Sequence, residues 1–333
     1  MTEWNKKPFR IRSLHLPDRT DKWAMKKRNF KEGIPQHVYV RGIGGGIIFY
    51  SLEDCVFYIT LYFCLSRKHG IVTYAFSLMP NHAHSQQKAG SLKSFTDFNK
   101  ELLSKFAQTY NLRHSRHGPL FDKPFGSAPK STGKLIKSNI SYICNNGAEG
   151  KLSKGILDYR WNMVAYCTNS NPFSERKPER SSSRRFLRAM KLVRYCRRTL
   201  SPLDYKLQET VYKGLDHSEK KQILDLILTE YNVVDQEGMV VLFGSLDNAL
   251  TAMETNCGSE HDIKEDWDNY SVYRSMIQCV SREGMDIRTL NFESMDEKGL
   301  KQLRRHLKKE TGASEKQLDK FLHMGILPQQ TNK

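Results

Sequence analysis

The chain has 333 residues, of which 38% are hydrophobic and 27% are charged, and its formal net charge is +17. No apolar run approaches the roughly 20 residues needed to cross a bilayer, and the opening stretch MTEWNKKPFRIRS lacks the apolar segment of a secretion signal. The seven cysteines are scattered and form no C-x-x-C pair, which excludes a disulfide framework and a cysteine-based zinc site. We therefore expect a cytoplasmic globular protein with reduced thiols and no membrane association.

The positive charge is concentrated in the first 200 residues. This part contains 36 lysines and arginines against 13 aspartates and glutamates, whereas residues 201–333 contain 17 against 23. Such an asymmetry is typical of a protein that docks on a polyanion through one part of its chain. Nucleic acid is the simplest such partner, and the alternative is a charge that serves solubility alone.

The chain begins with a basic arm, residues 1–35, and a stretch that favours a β-strand follows. The stretch QHVYVRG (36–42) is rich in β-forming residues and opens into GIGGG. We interpret that glycine run as a flexible loop, because no G-x-G-x-x-G precedes a helix there. Ser51 and Asp54 have the spacing of a helix cap, and apolar residues recur at helical intervals up to Gly70.

Two strands are predicted next, on either side of a tight turn. Residues 71–79 are β-branched and aromatic, the turn is Pro80-Asn81, and residues 82–87 continue as a strand. Further along, residues 91–115 form an amphipathic helix and GPLFDKPFGS (118–127) forms a loop. The resulting alternation of strands and helices predicts an α+β domain with a small central antiparallel sheet flanked by helices.

The predicted domain is completed by a third helix over 131–146, capped near Ser131 or Thr132, and it ends near residue 165. A basic linker and helix follow over 166–200. The stretch 171–185 has the composition of a linker, and the helix after it has Phe186, Met190 and Val193 on one side and basic residues largely on the other.

The remainder, residues 201–333, is predicted to be a helical and acidic C-terminal domain. Near its end, residues 300–324 contain a helix that stops at Thr311-Gly312, and Ser314 and Gln317 offer a capping box for the next helix. Two helices joined by a glycine-containing turn are a candidate helix-turn-helix. A plain helical hairpin is the equal alternative.

The sequence YAFSLMPNHAHSQQ carries the most informative pair of residues, His82 and His84. Residues i and i+2 of a strand point to the same face, so both imidazoles reach one place. Two neutral imidazoles make half of a metal site, although H-x-H alone is a weak motif. It does not extend to H-x-H-x-D-H, which excludes the usual dinuclear metallo-hydrolase pattern.

Five segments in order make residues 36–165 resemble the HUH-superfamily transposases that use a single tyrosine, and among them the REP-associated tyrosine transposases and their insertion-sequence relatives. The segments are HVYVRG, MPNHAH, GPLFDKPFGS, YICNN and YRWNMVAY. The resemblance implies an HUH catalytic domain that cleaves and rejoins single-stranded DNA. It departs from the family at Ser85-Gln86-Gln87, which is usually apolar, and at Ala83, which is small.

The resemblance also implies the roles of individual residues. His82 and His84 would hold Mg²⁺ or Mn²⁺, Tyr142 would attack the scissile phosphate to give a 5′-phosphotyrosine, and Asn146 would complete the metal shell. The residues themselves add that Tyr142 and Asn146, at i and i+4 of one helix, share a face. Two alternatives remain, that Tyr142 is a core residue and that Tyr110 is the nucleophile.

The expected partner is single-stranded or hairpin DNA, bound by a monomer or homodimer that is associated with the nucleoid. The candidate DNA-binding residues are basic and lie in the catalytic domain and the basic helix: Arg41, Lys123, Lys134, Lys137, Arg184, Arg188, Arg194 and Arg198. Two other functions fit the same residues. One is a catalytically silent DNA-binding regulator with this fold, and the other, less favoured, is a rolling-circle replication initiator.

Overall fold

The computed structural model describes residues 29–122, 124–174, 183–255, 270–287, 292 and 295–324. Within these residues the chain is α+β, with one four-stranded sheet and twelve α-helices. The strands are β1 (Gln36–Arg41), β2 (Val72–Met79), β3 (His82–Lys88) and β4 (Gly126–Pro129). The helices are α1 (Leu52–Lys68), α2 (Leu92–Arg113), α3 (Gly133–Glu149), α4 (Ala165–Thr168), α5 (Arg184–Arg198), α6 (Tyr205–Tyr212), α7 (His217–Tyr231), α8 (Gln236–Phe243), α9 (Leu246–Thr255), α10 (Ser271–Arg282), α11 (Glu297–Thr311) and α12 (Glu315–Leu322).

The sheet has the order β2-β3-β1-β4, and all neighbouring strands are antiparallel. The three strands and the three helices predicted between residues 36 and 149 are confirmed. Strand β4 was missed, because GSAP lacks the β-branched and aromatic residues that indicate a strand. It is an edge strand, where Pro129 is tolerated, and it forms by pairing with β1.

The GIGGG segment was predicted to be a flexible loop and instead contains a 3-10 turn, Ile43–Gly45. Backbone hydrogen bonds connect this turn to its surroundings: the Gly42 amide donates to the Asn81 carbonyl at 2.8 Å, and the Ile43 amide donates to the Leu120 carbonyl at 3.0 Å. Asp122 accepts a further hydrogen bond from the Gly44 amide at 2.7 Å. The segment is therefore held in place beside the turn that joins β2 and β3.

The two faces of the sheet differ in chemistry. One face carries Val38 and Val40 of β1 with Phe76 of β2, and these residues belong to the same buried apolar cluster as α1 and α2. The other face carries His37, Tyr39 and Arg41 of β1 beside Gln86, His84 and His82 of β3, which are their register partners. Helix α3 covers this polar face.

Contacts of α3 with β3 show how the helix lies on the sheet. The side chain of Gln86 donates to the carbonyl oxygen of Ile136 at 3.1 Å and to Oδ1 of Asn139 at 2.9 Å. On the opposite face, the amides of Gln87 and Asn99 pair, with Asn99 Nδ2 donating to Gln87 Oε1 at 2.9 Å. These bonds satisfy the buried polar side chains of Gln86 and Gln87.

The predicted helix caps are confirmed. Ser51 and Asp54 form a capping box at the start of α1, and the Thr132 side chain accepts from the Leu135 amide at the start of α3. Each cap satisfies backbone amides that have no partner within the first helical turn.

Helices α5, α6 and α7 share the apolar cluster of α1 and α2. Phe186 and Val193 of α5, Val211 of α6 and Ile227 of α7 are all buried in it. The predicted apolar side of the basic helix is therefore confirmed, and that side packs against the same core as the sheet.

The C-terminal helix pair is also present. Gly312 ends α11 in the left-handed conformation, with φ of 64°, and Ser314 and Gln317 form the predicted capping box of α12. Five of the eight residues of α12 are buried, and the Phe321 carbonyl accepts a hydrogen bond from Tyr50 at 2.6 Å. Most of α12 is therefore packed within the protein, and the helix-turn-helix function stays a prediction.

No helix in the described ranges combines the length and the apolar character that crossing a membrane requires.

Candidate active site

The two histidines of β3 form the centre of the candidate site. His82 and His84 occupy alternate positions of the strand and their ring centroids are 4.8 Å apart. Both are buried, with exposures of 7% and 2%. The predicted convergence of the two imidazoles on one face is confirmed.

The tautomer of His82 follows from its neighbour Asn81. Asn81 Nδ2 donates to the carbonyl oxygen of Gly45 at 2.9 Å, which orients the amide so that its Oδ1 lies 2.6 Å from His82 Nδ1. An amide oxygen only accepts, so His82 Nδ1 carries the proton. The lone pair of neutral His82 is then on Nε2, the atom that would bind a metal.

His84 is oriented by a second histidine, on β1. His37 Nε2 and His84 Nδ1 are 3.0 Å apart, and one of them donates to the other. His37 is 1% exposed. When His84 Nδ1 is the donor, its lone pair is also on Nε2.

Tyr142 of α3 lies over these histidines. Its ring centroid is 5.7 Å from that of His84 and 5.8 Å from that of His37, with edge-on geometry in both cases. Tyr142 is 2% exposed. It is thus buried, as the core interpretation requires, and it also contacts His84, as the nucleophile interpretation requires.

The rival Tyr110 lies elsewhere. It is part of the apolar cluster on the other face of the sheet and stacks on His114, with centroids 4.1 Å apart. His114 Nε2 in turn lies 3.2 Å from an oxygen of Asp54, a residue of α1. Tyr110 therefore packs beside the polar contact between His114 and α1, on the side of the sheet away from His82 and His84.

Asn146 lies one turn after Tyr142 on the same face of α3. The helix runs opposite to β3, because Asn139 contacts Gln86 and Tyr142 contacts His84. Four helical residues and two strand residues both span roughly 6 Å, so Asn146 is level with His82.

Both polar side-chain atoms of Asn146 are buried without a hydrogen-bond partner in the described part of the chain. A buried, unsatisfied amide costs about 1–3 kcal/mol and calls for an explanation. From the register of α3 on β3 we infer that the amide oxygen of Asn146 and the two imidazoles could together hold a divalent ion that accepts nitrogen and oxygen ligands. Among the described residues no group of three or more His, Cys, Asp or Glu could hold a metal, so this candidate set depends on the asparagine.

The candidate DNA-binding residues are distributed over several surfaces. Arg41 is half-buried and is the register partner of His82, so it lies on the face of the site. Lys134 and Lys137 are exposed at the start of α3, and Lys137 lies over the ring of Phe243. Lys123 lies outside the described residues.

The four candidate DNA-binding residues of α5 are exposed, away from the apolar side that packs on the core: Arg184, Arg188, Arg194 and Arg198. Arg194 forms an ion pair with Glu230 of α7 at 3.1 Å. One of the four thus contacts the acidic part of the chain rather than solvent alone.

Three residues of the site were missed in the sequence. His37 lies in the segment HVYVRG and Asn81 in the turn PNH, but neither had been assigned a role at the site. Tyr270, directly before α10, has its ring centroid 5.9 Å from that of His82. Of the three, only His37 could have been predicted from the sequence. Residues 37, 39 and 41 of a strand share a face, so His37 lies on the same face as Arg41.

Comparisons with models of protein families, with curated proteins and with solved structures found no match.

Proposed function

We propose that this protein is a DNA transposase of the HUH single-tyrosine type, which cleaves and rejoins single-stranded, hairpin-flanked DNA. The observation that supports this most directly is the juxtaposition of Tyr142 with His84, 5.7 Å between ring centroids. A second histidine, His82, has its ring centroid 4.8 Å from that of His84, and the unsatisfied Asn146 follows Tyr142 by one helical turn. In this proposal the tyrosine and the asparagine of α3 supply the nucleophile and an amide ligand, and the sheet face that α3 covers supplies the two imidazoles. Such a convergence is the arrangement that metal-assisted phosphoryl transfer needs.

Each residue has a defined part in the reaction. A Mg²⁺ or Mn²⁺ ion held by His82, His84 and Asn146 would polarise the scissile phosphate and neutralise the charge that develops on it. Tyr142 supplies the nucleophilic oxygen. The phenol has a reference pKa near 10 and is a weak nucleophile by itself, so it must act beside the activated phosphate.

The cleavage step exchanges one phosphoester bond for another. The Tyr142 oxygen forms a bond to phosphorus, the bond from phosphorus to the 3′ oxygen breaks, and the phenolic proton ends on the departing 3′-hydroxyl. The product is a 5′-phosphotyrosine, and attack by a 3′-hydroxyl reverses the step to join strands. Because the phosphoester is conserved, joining requires no nucleotide cofactor.

The test is a covalent adduct between the full-length protein and a labelled, hairpin-flanked single strand, resolved on a denaturing gel with Mn²⁺ or Mg²⁺. We expect a metal-dependent adduct whose DNA-bearing peptide contains Tyr142. Absence of any adduct across a panel of hairpin strands, or an adduct insensitive to EDTA, would contradict the proposal.

A second candidate function is a DNA-binding regulator that has this fold without the cleavage reaction. The burial of the site favours it, since His84 and Tyr142 are each 2% exposed and Tyr270 lies against His82. A DNA strand would have to displace neighbouring side chains to reach the tyrosine. Salt-dependent binding of hairpin DNA without an adduct is the outcome that selects this candidate.

A further inference from the structure

The hydrogen bond between His37 and His84 bears on which nitrogen of His84 is protonated. We propose that His37 is a positioning residue that selects the metal-binding tautomer of His84. This inference rests on the proposed function, because it assumes that His84 Nε2 binds a divalent ion. It concerns a residue of β1, which supplies none of the proposed ligands.

The geometry allows two directions for this bond, and only one of them is compatible with metal binding. If His84 Nδ1 donates to His37 Nε2, neutral His84 has its lone pair on Nε2. If His37 Nε2 donates instead, neutral His84 has its proton on Nε2 and has no lone pair there. The direction of one hydrogen bond of 3.0 Å thus determines whether His84 can be a ligand.

His82 and His84 are oriented by chemically different partners. Asn81 presents an amide oxygen to His82, which accepts only, so the ligand tautomer of His82 is imposed. His37 presents a ring nitrogen that either donates or accepts. The site therefore contains one fixed imidazole and one whose tautomer depends on a neighbour.

Outer-shell groups of this kind orient metal ligands and raise their basicity, and their loss typically costs about 10–100-fold in metal affinity. His37 is suited to the role because it is 1% exposed and lies on the strand adjacent to His84. Its backbone is held by the pairs that β1 makes with both β3 and β4. A ring in that position has little freedom to turn away.

The test measures Mn²⁺ affinity of the full-length protein without DNA, by isothermal titration and electron paramagnetic resonance. His37→Leu should weaken Mn²⁺ binding about 10–100-fold, because it removes the acceptor. His37→Gln should restore much of the affinity, since its side-chain oxygen can accept from His84 Nδ1. Val38→Ala is the control, because Val38 is buried in the apolar cluster on the opposite face of β1. The substitution removes packing on that face only, so the Mn²⁺ affinity should stay unchanged.

The outcomes separate the two proposals. If the unvaried protein binds no Mn²⁺, the metal-dependent function fails and this inference fails with it. If the unvaried protein binds Mn²⁺ and His37→Leu binds it equally well, only the role of His37 is overturned. A loss that Gln does not restore, or that Val38→Ala shares, also overturns it and indicates a structural role.

A spectroscopic measurement needs no variant. Correlation of imidazole ¹H and ¹⁵N resonances in the Mg²⁺-loaded protein should show His84 protonated at Nδ1, with His37 protonated at Nδ1 as well. A proton on His84 Nε2 would overturn the inference even if every His37 variant failed to fold.

Discussion

The ring of Tyr142 meets the ring of His84 edge-on, with centroids 5.7 Å apart, across the space between α3 and β3. This relationship joins the two motifs that the sequence singled out, MPNHAH and YICNN. Neither motif by itself specifies chemistry, because H-x-H and an amphipathic tyrosine helix are both common. Their meeting in a buried polar layer is what supports an active site.

Changing Tyr142 to Phe should abolish the covalent adduct while leaving folding and DNA binding intact. The substitution removes only the phenolic oxygen and preserves the ring that packs against His37 and His84. Gel analysis of the adduct and a thermal melt of the same sample measure the two effects. Tyr110→Phe, on the other face of the sheet, is the control and should form the adduct normally.

Full adduct yield from Tyr142→Phe would overturn the assignment of the nucleophile. Loss of adduct together with loss of folding would instead support a purely structural role for Tyr142.

Asn146→Leu should weaken metal binding without lowering the stability of the protein. Its two polar side-chain atoms are buried without a hydrogen-bond partner among the described residues, and replacing them with a similar apolar volume removes a penalty of about 1–3 kcal/mol. We expect an unchanged or higher melting temperature in EDTA, together with weaker Mn²⁺ binding. Sites that hold an unsatisfied group for function show this trade-off.

The matched control for Asn146→Leu is Asn139→Leu. Asn139 is buried on the same helix but accepts a hydrogen bond from Gln86, so its replacement should lower the melting temperature. A destabilised Asn146→Leu with normal Mn²⁺ affinity would show that Asn146 is structural.

Histidine substitutions should remove cleavage without removing DNA binding. His82→Ala or His84→Ala deletes an imidazole that would hold the ion, whereas affinity for DNA comes from basic side chains that contact phosphates. Metal-dependent cleavage and filter binding of the same oligonucleotide measure the two separately. Undiminished cleavage by the double variant would remove the metal from the proposed mechanism.

Arg184 and Arg188 of α5 should contribute to DNA affinity through phosphate contacts. Both are exposed, whereas Arg194 is paired with Glu230. Replacing Arg184 and Arg188 with Gln should make the plot of log K against log salt less steep by about 0.7 for each lost contact to a single strand. Arg194→Gln should change the slope less.

A control with the same loss of charge combines Lys206→Gln on α6 and Lys220→Gln on α7, where both residues are exposed. An equal change of slope in this control would mean that α5 acts through net charge alone. An unchanged slope in the α5 variant would mean that the helix does not contact DNA.

Asp225 should be a major contributor to stability. Its buried carboxylate accepts from Arg160 at 2.9 Å, from Tyr166 at 2.8 Å, and from the backbone amides of Phe173 and Ser174 at 3.1 and 2.8 Å. Asp225→Ala leaves these donors without their acceptor and should lower the free energy of unfolding by about 3–5 kcal/mol. Urea unfolding measures the change.

Glu230→Ala is the matched control, because it breaks a more exposed ion pair with Arg194. Its cost should be within about 1 kcal/mol. Equal costs for the two variants would contradict the assignment of Asp225.

Glu101 should make stability depend on pH in the acidic range. Burial opposes ionisation of this carboxyl, but hydrogen bonds from Lys105, Lys68 and His69 outweigh it and lower its pKa to about 2. A folded pKa below the unfolded value near 4.3 means that the stabilisation is fully present above that value and is lost as the pH falls toward 2. Because the carboxyl is partly exposed, we expect a contribution of about 1 kcal/mol.

Thermal melts of the unvaried protein and of Glu101→Gln between pH 6 and pH 2 provide the measurement. The two proteins should differ most near neutral pH and converge on acidification. A constant difference across the range would show that Glu101 does not gain its stability from ionisation.

Local patterns in the sequence predicted the elements well because each depends on near neighbours. The Ser51 and Asp54 spacing predicted a helix start that the capping box confirms, and Ser314 with Gln317 did the same for α12. The alternation of His82 and His84 predicted a shared face, and the strand geometry confirms it. Strand β4 was missed, since its four residues have no intrinsic strand preference and pair with β1 through backbone groups.

By itself the sequence determined the α+β class, the caps, the histidine pair and the placing of Tyr142 and Asn146 on one helical face, because these follow from short-range periodicity. Only the tertiary structure decided which partners orient the imidazoles and which tyrosine meets them. His37 reaches His84 through strand pairing, and Tyr110 is excluded because α2 packs on the other face of the sheet. Those relationships join residues far apart in the chain, and they arise from burial of apolar faces that a local pattern does not specify.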